Sequence, residues 1–423
     1  MSNGLVIAAP ASGSGKTTIT LGILHALAKA GLAVRGAKSG PDYIDPRFHE
    51  AACGAPCLNL DAWAMSPERV RNLAAGPGLL VIEGAMGLFD GAPPNGKGAT
   101  ADIARILNAP VVLVVDAASM AQSVAALVSG FARHDSLITV AGIILNKIGS
   151  PRHETMLRNA LKPLGIPVIG ALHRQSTLAH PSRHLGLVQA GEHPDLQAFL
   201  TGAGKAIAQA VDLDALTKLA QPLPPTASPT QPKAPARRIA IAQDAAFAFS
   251  YPHLLDDWRK AGAEITYFSP LANQAPPTAE LIFLPGGYPE LHAKTLASAD
   301  RFHAGMQTAA QSTTIYGECG GYMVLGRVLT DAGGTRHEML GLLDLETSFA
   351  QRKLHLGYRD LTPLAGPFSG PTKAHEFHYA TTLHAAGDPL FGASDAEGHD
   401  LGKIGLTQGN VSGSFAHVIE MGF

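Results

Sequence analysis

One cysteine lies in a glycine-rich turn whose composition suits a nucleophile. The run IYGECGGYMVLG places Cys319 between a β-type segment and an apolar helical segment, next to Gly317, Gly320 and Gly321. A sharp strand-to-helix turn lifts a side chain above a sheet, and small neighbours are needed beside it. The amide of Gly320 and the helix N-terminus would favour a thiolate and an oxyanion. The alternative is a structural cysteine, which is more often surrounded by aliphatic residues.

Two further runs complete a thiol site. LPGGYPE follows another β-type segment, so the amide of Gly287 is a second candidate donor to an oxyanion. A thiol nucleophile needs a base within hydrogen-bond reach. His417 in NVSGSFAHVIE is the preferred base, on a predicted loop near the chain end. His375 and His378 in KAHEFHYA compete with it, because the sequence has 18 histidines.

A phosphate-binding loop follows the first β-type segment. The run APASGSGKTTITLGIL supplies Gly13 and Gly15 for a backbone cradle, and then Lys16, Thr17 and Thr18 at the start of a helical pattern. In a Walker A loop the lysine contacts the β- and γ-phosphates and the next hydroxyl binds Mg²⁺. A proline stands where the first glycine of the motif is expected. The context still predicts an ATP site, against the alternative of a plain glycine turn.

Carboxylates for the metal follow two predicted strands. Glu83 in LLVIEGAMG ends an apolar run, and Asp42 and Asp45 lie in KSGPDYIDPRFH. Acids at the carboxyl edge of a parallel sheet face the ligand crevice. We therefore predict Thr17, Asp42 and Glu83 as metal ligands, although turn chemistry is the alternative for the two aspartates. Asn146 in ILNKIGS is a candidate contact to an adenine edge, or a strand-end turn.

The elements that position these residues form two repeating patterns. Apolar runs alternate with helical patterns, which indicates parallel sheets buried on both faces. The runs cover 5–9, 33–38, 79–84, 111–116, 140–146, 167–172, 238–244, 264–270, 281–287 and 313–318. A proline-rich stretch interrupts them and is typical of a linker. We predict two doubly wound α/β domains, about 1–220 and 237–423, joined by the linker 221–236.

Composition and charge argue against several classes of protein. Formal net charge is −2, and no basic stripe indicates a nucleic-acid or anionic-membrane partner. No apolar window is long enough for a transmembrane helix, and the N-terminus does not resemble a signal peptide. Three cysteines cannot build a disulfide framework. A cytoplasmic protein is expected.

Six motifs in order resemble one enzyme family. The glycine-rich turn around Cys319, with PGG upstream and a histidine near the chain end, resembles the flavodoxin-like domain of class I glutamine amidotransferases. The P-loop with VIEGAMG resembles dethiobiotin synthetase. Their fusion, with SGPDYIDPRFH, IEGAMGLFDG, LPGGYPE, GECGGYMVLG, HEFHYA and GSFAHVIE, resembles the cobyrinic acid and hydrogenobyrinic acid a,c-diamide synthase family.

That resemblance implies a ligase of cobalamin biosynthesis that uses ATP, Mg²⁺ and L-glutamine. ATP would phosphorylate the a and c acetate side chains of a corrinoid substrate, and ammonia released from glutamine would displace the phosphate. By the same resemblance, Cys319 forms a glutamyl thioester, His417 is its base, and Tyr43 and Asp45 lie near the corrin carboxylate.

Some features stay open within the resemblance. Class I enzymes usually carry glutamate two residues after the histidine, but Ile419 occupies that position here and Glu420 follows it. The third member of the catalytic set is therefore unassigned. The carboxylates of the macrocycle need cationic partners, for which Arg183, His184 and Arg359 are candidates, with ordinary surface charge as the alternative.

Two other functions are alternatives. A cobyric acid synthase would amidate other side chains, but the PDYIDP run argues against that branch. A partition-type ATPase switch with an inert second domain would not need the cysteine. The sequence leaves open the presence of cobalt in the substrate, the order of the amidations and the oligomeric state, for which a homodimer is one candidate.

Overall fold

The structure is a computed structural model in which two compact units, 1–229 and 230–423, are distinguished. It describes residues 2–174, 182–183, 186–187, 189–192, 195–226 and 233–421. The proline-rich residues 227–232 lie outside that description. Among the described helices, none combines the length and apolarity needed to cross a membrane.

The first unit is a sheet flanked by helices. Its strands are β1 Asn3–Ala8, β2 Val34–Ser39, β3 Leu58–Leu60, β4 Leu79–Glu83, β5 Val111–Asp116, β6 Val140–Ile148, β7 Val168–His173, β8 Ser182–Arg183, β9 Gly186–Leu187 and β10 Gln221–Pro222. Its α-helices are α1 Lys16–Lys29, α2 Asp45–Cys53, α3 Pro67–Ala74, α4 Thr100–Leu107, α5 Ser123–Arg133, α6 Pro151–Leu161, α7 Leu196–Ala210 and α8 Leu213–Leu219.

The main sheet of this unit runs in the order β3-β2-β4-β1-β5-β6-β7, with all of these strands parallel. In β5, VVLVVD is buried at every position except the half-buried Asp116, as expected for a strand covered on both faces. β10 pairs antiparallel with β1, so Gln221 and Pro222, which the sequence assigned to the linker, extend this sheet. The carboxyl ends of β1, β2 and β4 lie side by side and carry the P-loop, Lys38 and Glu83.

The second unit contains a parallel sheet, an antiparallel sheet and a small mixed sheet. Its strands are β11 Arg238–Ala242, β12 Glu264–Phe268, β13 Leu281–Leu284, β14 Thr314–Glu318, β15 Val328–Thr330, β16 Arg336–Glu338, β17 Asp344–Ser348, β18 His355–Pro363, β19 Thr372–His378, β20 Thr381–Ala386, β21 Phe391–Ser394, β22 Asp400–Ile404, β23 Leu406–Gln408, β24 Val411–Ser414 and β25 Ala416–Met421. Its α-helices are α9 Pro252–Lys260, α10 Ala293–Ala297, α11 Asp300–Ala309 and α12 Gly320–Leu325.

The parallel sheet has the order β12-β11-β13-β14-β24, with β23 added antiparallel at its edge. Numbered along the chain, this is the flavodoxin-like order 2-1-3-4-5. The two doubly wound α/β domains predicted from the sequence are therefore confirmed. The antiparallel sheet β22-β21-β18-β19-β25 and the mixed sheet β16-β15-β17-β20, in which β15 and β17 are parallel, were not predicted.

Candidate active sites

The loop between β1 and α1 has the backbone of a phosphate cradle. Gly13 and Gly15 adopt left-handed conformations, with φ of 78° and 92°. A Cβ on Gly15 would lie 2.3 Å from Nδ2 of Asn146, so this position needs glycine. Asn146 Nδ2 donates to the Ser14 carbonyl at 2.9 Å. Asn146 thus supports the loop in this structure, and its contact with an adenine edge stays a prediction.

The lysine of the loop contacts the segment that follows strand β4. Lys16 Nζ donates to the carbonyl of Met86 at 2.5 Å. Burial lowers the pKa of Lys16, and the nearby Lys38 lowers it further. The residues that line the cavity around this amine are Ser12, Gly13, Gly15, Lys16, Thr17, Thr18, Lys38, Glu83, Gly84 and Met86. The predicted loop residues therefore share one cavity with Glu83.

A buried ionic cluster lies beside the loop, and sequence reasoning missed its central residue, Lys38. Lys38 Nζ lies 2.6 Å from Asp45 Oδ2 and 2.9 Å from Glu83 Oε1. Thr17 Oγ1 donates to Glu83 Oε1 at 2.6 Å and lies 3.5 Å from Asp45 Oδ2. The signal for Lys38 was its position at the end of the second strand, directly before the SGPDYIDP run. The ammonium group is surrounded by the oxygen atoms that a hard cation would use.

The two aspartates of that run have different surroundings. Asp42 Oδ1 accepts from the amides of Ile44 and Asp45, at 2.8 and 3.0 Å, which is the turn chemistry considered as its alternative. Asp42 Oδ2 lies 3.8 Å from Lys38 Nζ. Asp45 lies beside Thr17, and its place near the substrate stays a prediction. Tyr43 between them is half-buried.

The pKa values of the ionisable groups in this cluster differ strongly from their usual values. Burial raises the pKa of Asp45 to about 7, and Asp42 adds to the effect. Burial opposes ionisation of Glu83 too, but Lys38 and a hydrogen bond from His49 outweigh it and hold the pKa of Glu83 well below its usual range. The carboxylates in turn overcome burial and raise the pKa of Lys38 well above its usual value. Glu83 and Lys38 therefore form a buried ion pair near neutral pH.

The second site is built around the cysteine turn. Cys319 joins β14 to α12 with φ 45° and ψ −101°, a conformation that few non-glycine residues adopt. Its amide donates to the Ser414 carbonyl at the end of β24, at 2.8 Å. Burial raises the pKa of the Cys319 thiol well above its usual value, Glu290 adds to this, and the Gly320 amide opposes it. The amide acts in the expected direction, but burial dominates, so the thiol is neutral here.

Both predicted oxyanion donors lie at this turn. A Cβ on Gly320 would be 2.9 Å from the amide nitrogen of Gly287. A Cβ on Gly287 would be 2.1 Å from the carbonyl oxygen of Ala246. Neither position tolerates a side chain, and the two glycines are direct neighbours across β13 and β14.

His417 lies on strand β25, and the prediction that it lies on a loop is wrong. A Cβ on Gly286 would be 2.2 Å from His417 Cε1, so the ring packs against the PGG turn. His417 Nδ1 lies 3.7 Å from Glu318 Oε2, in the residue before the cysteine. Burial, followed by His375 and His378, lowers the pKa of His417 to about 3. The imidazole is therefore neutral in this structure.

The two competing histidines have other contacts. His375 faces His417 across the β19–β25 pairing. The ring of His378 stacks on Phe415 at 3.9 Å, and its Nε2 lies 2.9 Å from Glu376 Oε1. Glu376 also pairs with Arg359 at 2.8 Å. Of the three, His417 is the one placed against both the PGG turn and the residue preceding Cys319. Of the predicted macrocycle contacts, His184 and the side chain of Arg183 lie outside the described residues.

Comparisons with known proteins match both halves of the chain to known domains. Residues 5–188 match the model of the CobQ/CobB/MinD/ParA nucleotide binding domain, and residues 238–422 match that of the CobB/CobQ-like glutamine amidotransferase domain. The hydrogenobyrinate a,c-diamide synthase of Brucella anthropi is 56% identical, over 99% of this chain and 98% of that protein.

Two further relatives carry the same name. The protein of Rhizobium meliloti is 54% identical over 99% of both chains. That of Rhodobacter capsulatus is 52% identical over 98% of both chains. Identity at this level along nearly the whole length shows that the chain belongs to the hydrogenobyrinate a,c-diamide synthase family.

Proposed function

We propose that this chain amidates the a and c acetate side chains of hydrogenobyrinic acid, a corrin macrocycle, with ATP and L-glutamine in cobalamin biosynthesis. The names of its relatives and their identity over the full length support the substrate. The observation that carries the chemistry is the presence, on one chain, of a P-loop beside buried carboxylates and a cysteine turn with paired glycine amides.

The first site suits activation of a carboxylate. A carboxylate resists attack by ammonia because its leaving group would be oxide, and phosphorylation supplies a better one. Lys16 and the amides of the loop would hold the phosphates. Lys38 keeps its positive charge although it is buried, and that charge would offset negative charge near the transferred group.

The same site fits Mg²⁺, since it offers a hydroxyl and carboxylates, which are hard oxygen donors. Bound Mg²⁺ would neutralise phosphate charge. Thr17 and Glu83 would hold it. We propose Asp45 as the third protein ligand in preference to Asp42, because Asp45 Oδ2 lies 3.5 Å from Thr17 Oγ1 whereas Asp42 Oδ1 accepts from amides of its own turn. Lys38 would have to leave its present position between Asp45 and Glu83 for the ion to bind there.

The second site suits hydrolysis of glutamine. The sulfur of Cys319 would attack the side-chain amide carbon while His417 takes the thiol proton. The amides of Gly287 and Gly320 would stabilise the oxyanion. His417 would return the proton to the leaving nitrogen, which departs as ammonia, and water would then hydrolyse the thioester.

A donor test checks the assignment. Cys319→Ser is compared with the wild type and with Cys53→Ser, a matched change of a cysteine outside the cysteine turn, using hydrogenobyrinic acid, ATP and either glutamine or ammonium. We expect Cys319→Ser to lose glutamine-driven synthesis and to keep ammonium-driven synthesis. Mass spectrometry counts the amides and locates them. Full glutamine-driven synthesis by Cys319→Ser would refute the role of the thiol, and amides on other side chains would refute the substrate.

A further inference from the structure

A carboxylate that lies close to His417 belongs to the residue directly before the cysteine. Glu318 ends β14, directly before Cys319, and its Oε2 lies 3.7 Å from Nδ1 of His417. Glu318 is 4% exposed and His417 is 1% exposed, so solvent screens their interaction little. Catalytic hydrogen bonds are often long before substrate binds.

The Glu318 carboxyl group is held in place by two other hydrogen bonds. Its Oε1 accepts from the amide of Val418 at 3.1 Å and from the hydroxyl of Tyr316 at 3.2 Å. Because Val418 follows His417 on β25, one carboxyl group ties the strand of the nucleophile to the strand of the base. The second oxygen is left on the side of the imidazole.

We propose that Glu318 is the positioning residue of His417 and acts as the acidic member of a Cys319–His417–Glu318 set. This inference rests on the proposed glutamine hydrolysis. Glu318 would accept the Nδ1–H of His417, which keeps Nε2 in its unprotonated form, able to act as the base, and stabilises the imidazolium formed during the reaction.

The carboxylate expected from the class I pattern cannot take this role as simply. Ile419 occupies the usual position and is fully buried. The pairing of β19 with β25 shifts register there, so that Ala374 faces Val418 and Lys373 faces Glu420. Glu420 is thus placed opposite a lysine, beyond the shift.

The proton transfers in the proposed set balance with glutamine and water as the only reactants. As the bond from sulfur to the amide carbon forms, the thiol proton passes to Nε2 of His417. That proton goes to the amide nitrogen when the C–N bond breaks and ammonia leaves. Water then gives a proton to Nε2 while its oxygen attacks the thioester, and the proton returns to the departing sulfur as glutamate is released. Glu318 stays ionised throughout and holds Nδ1–H.

This role makes glutamine hydrolysis depend on the ionisation of Glu318. Burial raises the pKa of Glu318 to about 8, and the Val418 amide and Tyr316 hydroxyl oppose the shift. The protonated acid would donate to Nδ1 and leave the proton on Nε2, the wrong tautomer for a base. Activity should therefore rise with pH through about 8. The titratable groups around this set are Tyr316, Cys319, Glu290, His375, Glu376 and His378.

The test measures glutaminase kcat/KM and the alkylation rate of Cys319 by iodoacetamide, both against pH, in the full chain. For Glu318→Gln we expect a fall of about 10²-fold in kcat/KM and loss of the rise near pH 8, in line with the usual contribution of a general base. Glu318→Asp should recover part of the rate and the pH dependence. Glu420→Gln, the matched change of the neighbouring carboxylate, should behave as the wild type.

A second variant keeps the test decisive if Glu318→Gln does not fold. Tyr316→Phe removes a donor that favours the ionised carboxylate, so the alkaline rise should move to higher pH. A wild-type rate and pH profile in Glu318→Gln would overturn the proposal. So would a lower rate with an unchanged profile and no recovery in Glu318→Asp, or an unshifted profile in Tyr316→Phe. Ammonium-driven amidation reports the proposed corrin chemistry separately, because it does not use this set.

Discussion

Replacing Lys38 by methionine tests the ionic cluster of the first domain directly. The Lys38 side chain is 6% exposed and contacts Asp45 and Glu83 at 2.6 and 2.9 Å. Methionine keeps most of the volume but leaves buried carboxylates without their cation. Breaking a buried pair from one side costs about 3–5 kcal/mol, whereas an exposed pair contributes about 0–1 kcal/mol. We expect the free energy of unfolding of the first domain to fall by the larger amount.

The chain offers a matched control for burial. Lys147 contacts Asp116 at the same 2.6 Å, but the two side chains are 40% and 33% exposed. Lys147→Met should therefore cost about 1 kcal/mol or less. Trp63 and Trp258 are the two tryptophans, one in each compact unit. Urea unfolding followed by fluorescence in a Trp258→Phe background thus reports the first domain.

The loss of stability in Lys38→Met should also depend on pH, in a direction that the pKa shifts determine. Lys38 lowers the pKa of both Asp45 and Glu83, so its loss raises both in the folded state. An acid whose folded pKa lies above its unfolded pKa binds more protons when folded, and its contribution to stability falls as pH rises. The deficit of Lys38→Met should therefore narrow as pH decreases toward about 7, the pKa of Asp45 when Lys38 is present, because the variant's Asp45 titrates above that value. A deficit no larger than that of Lys147→Met at pH 8 and above would refute the buried ion pair.

Three other predictions concern glycines and the metal ligands. Gly286→Ala places a Cβ 2.2 Å from His417 Cε1, so glutaminase kcat/KM should fall about 10²-fold while ammonium-driven synthesis persists; equal loss of both would contradict a local effect. In Mg²⁺ titrations of amidation, Asp45→Asn should need more Mg²⁺ than Asp42→Asn, and the reverse order would favour Asp42 as the ligand. Gly202→Ala, in the exposed part of α7 with nothing within 4 Å of the new Cβ, should raise the free energy of unfolding by about 0.5–1 kcal/mol, and a decrease would show hidden strain.

Sequence reasoning succeeded where burial leaves a clear pattern. All ten predicted runs coincide with strands. In central strands such as β5 the reason is that a parallel strand covered by helices on both faces is apolar along its length, whereas the edge strand β12 is largely exposed. The antiparallel strands of the second unit gave no such signal. β20 reads TTLHAA and is largely exposed, and β17 reads DLETS, so neither shows the composition of a buried strand.

At the candidate sites, sequence reasoning missed residues whose partners are far away in the sequence. Glycines around Cys319 and Lys16 were visible because a turn needs them locally. Lys38 was missed because its contact with Glu83 depends on β2 lying beside β4, an order that the sequence does not state. Glu318 was missed for the same reason, since its neighbour His417 is brought to it by β25.

The buried ionisable groups of the two sites differ in their resting charge states. In the first, Lys38 and Glu83 are both ionised, which suits a site that must receive phosphate and a cation. In the second, burial shifts the pKa of Cys319 and Glu318 up and that of His417 down, so all three groups favour their neutral forms. A neutral resting state avoids the cost of burying unpaired ions. Because the Cys319 thiol is neutral at rest, the thiolate must form during the reaction, by proton transfer to His417. Reactivity of Cys319 toward iodoacetamide should therefore be low in the free protein and should increase at alkaline pH, as Glu318 ionises and His417 becomes a competent base.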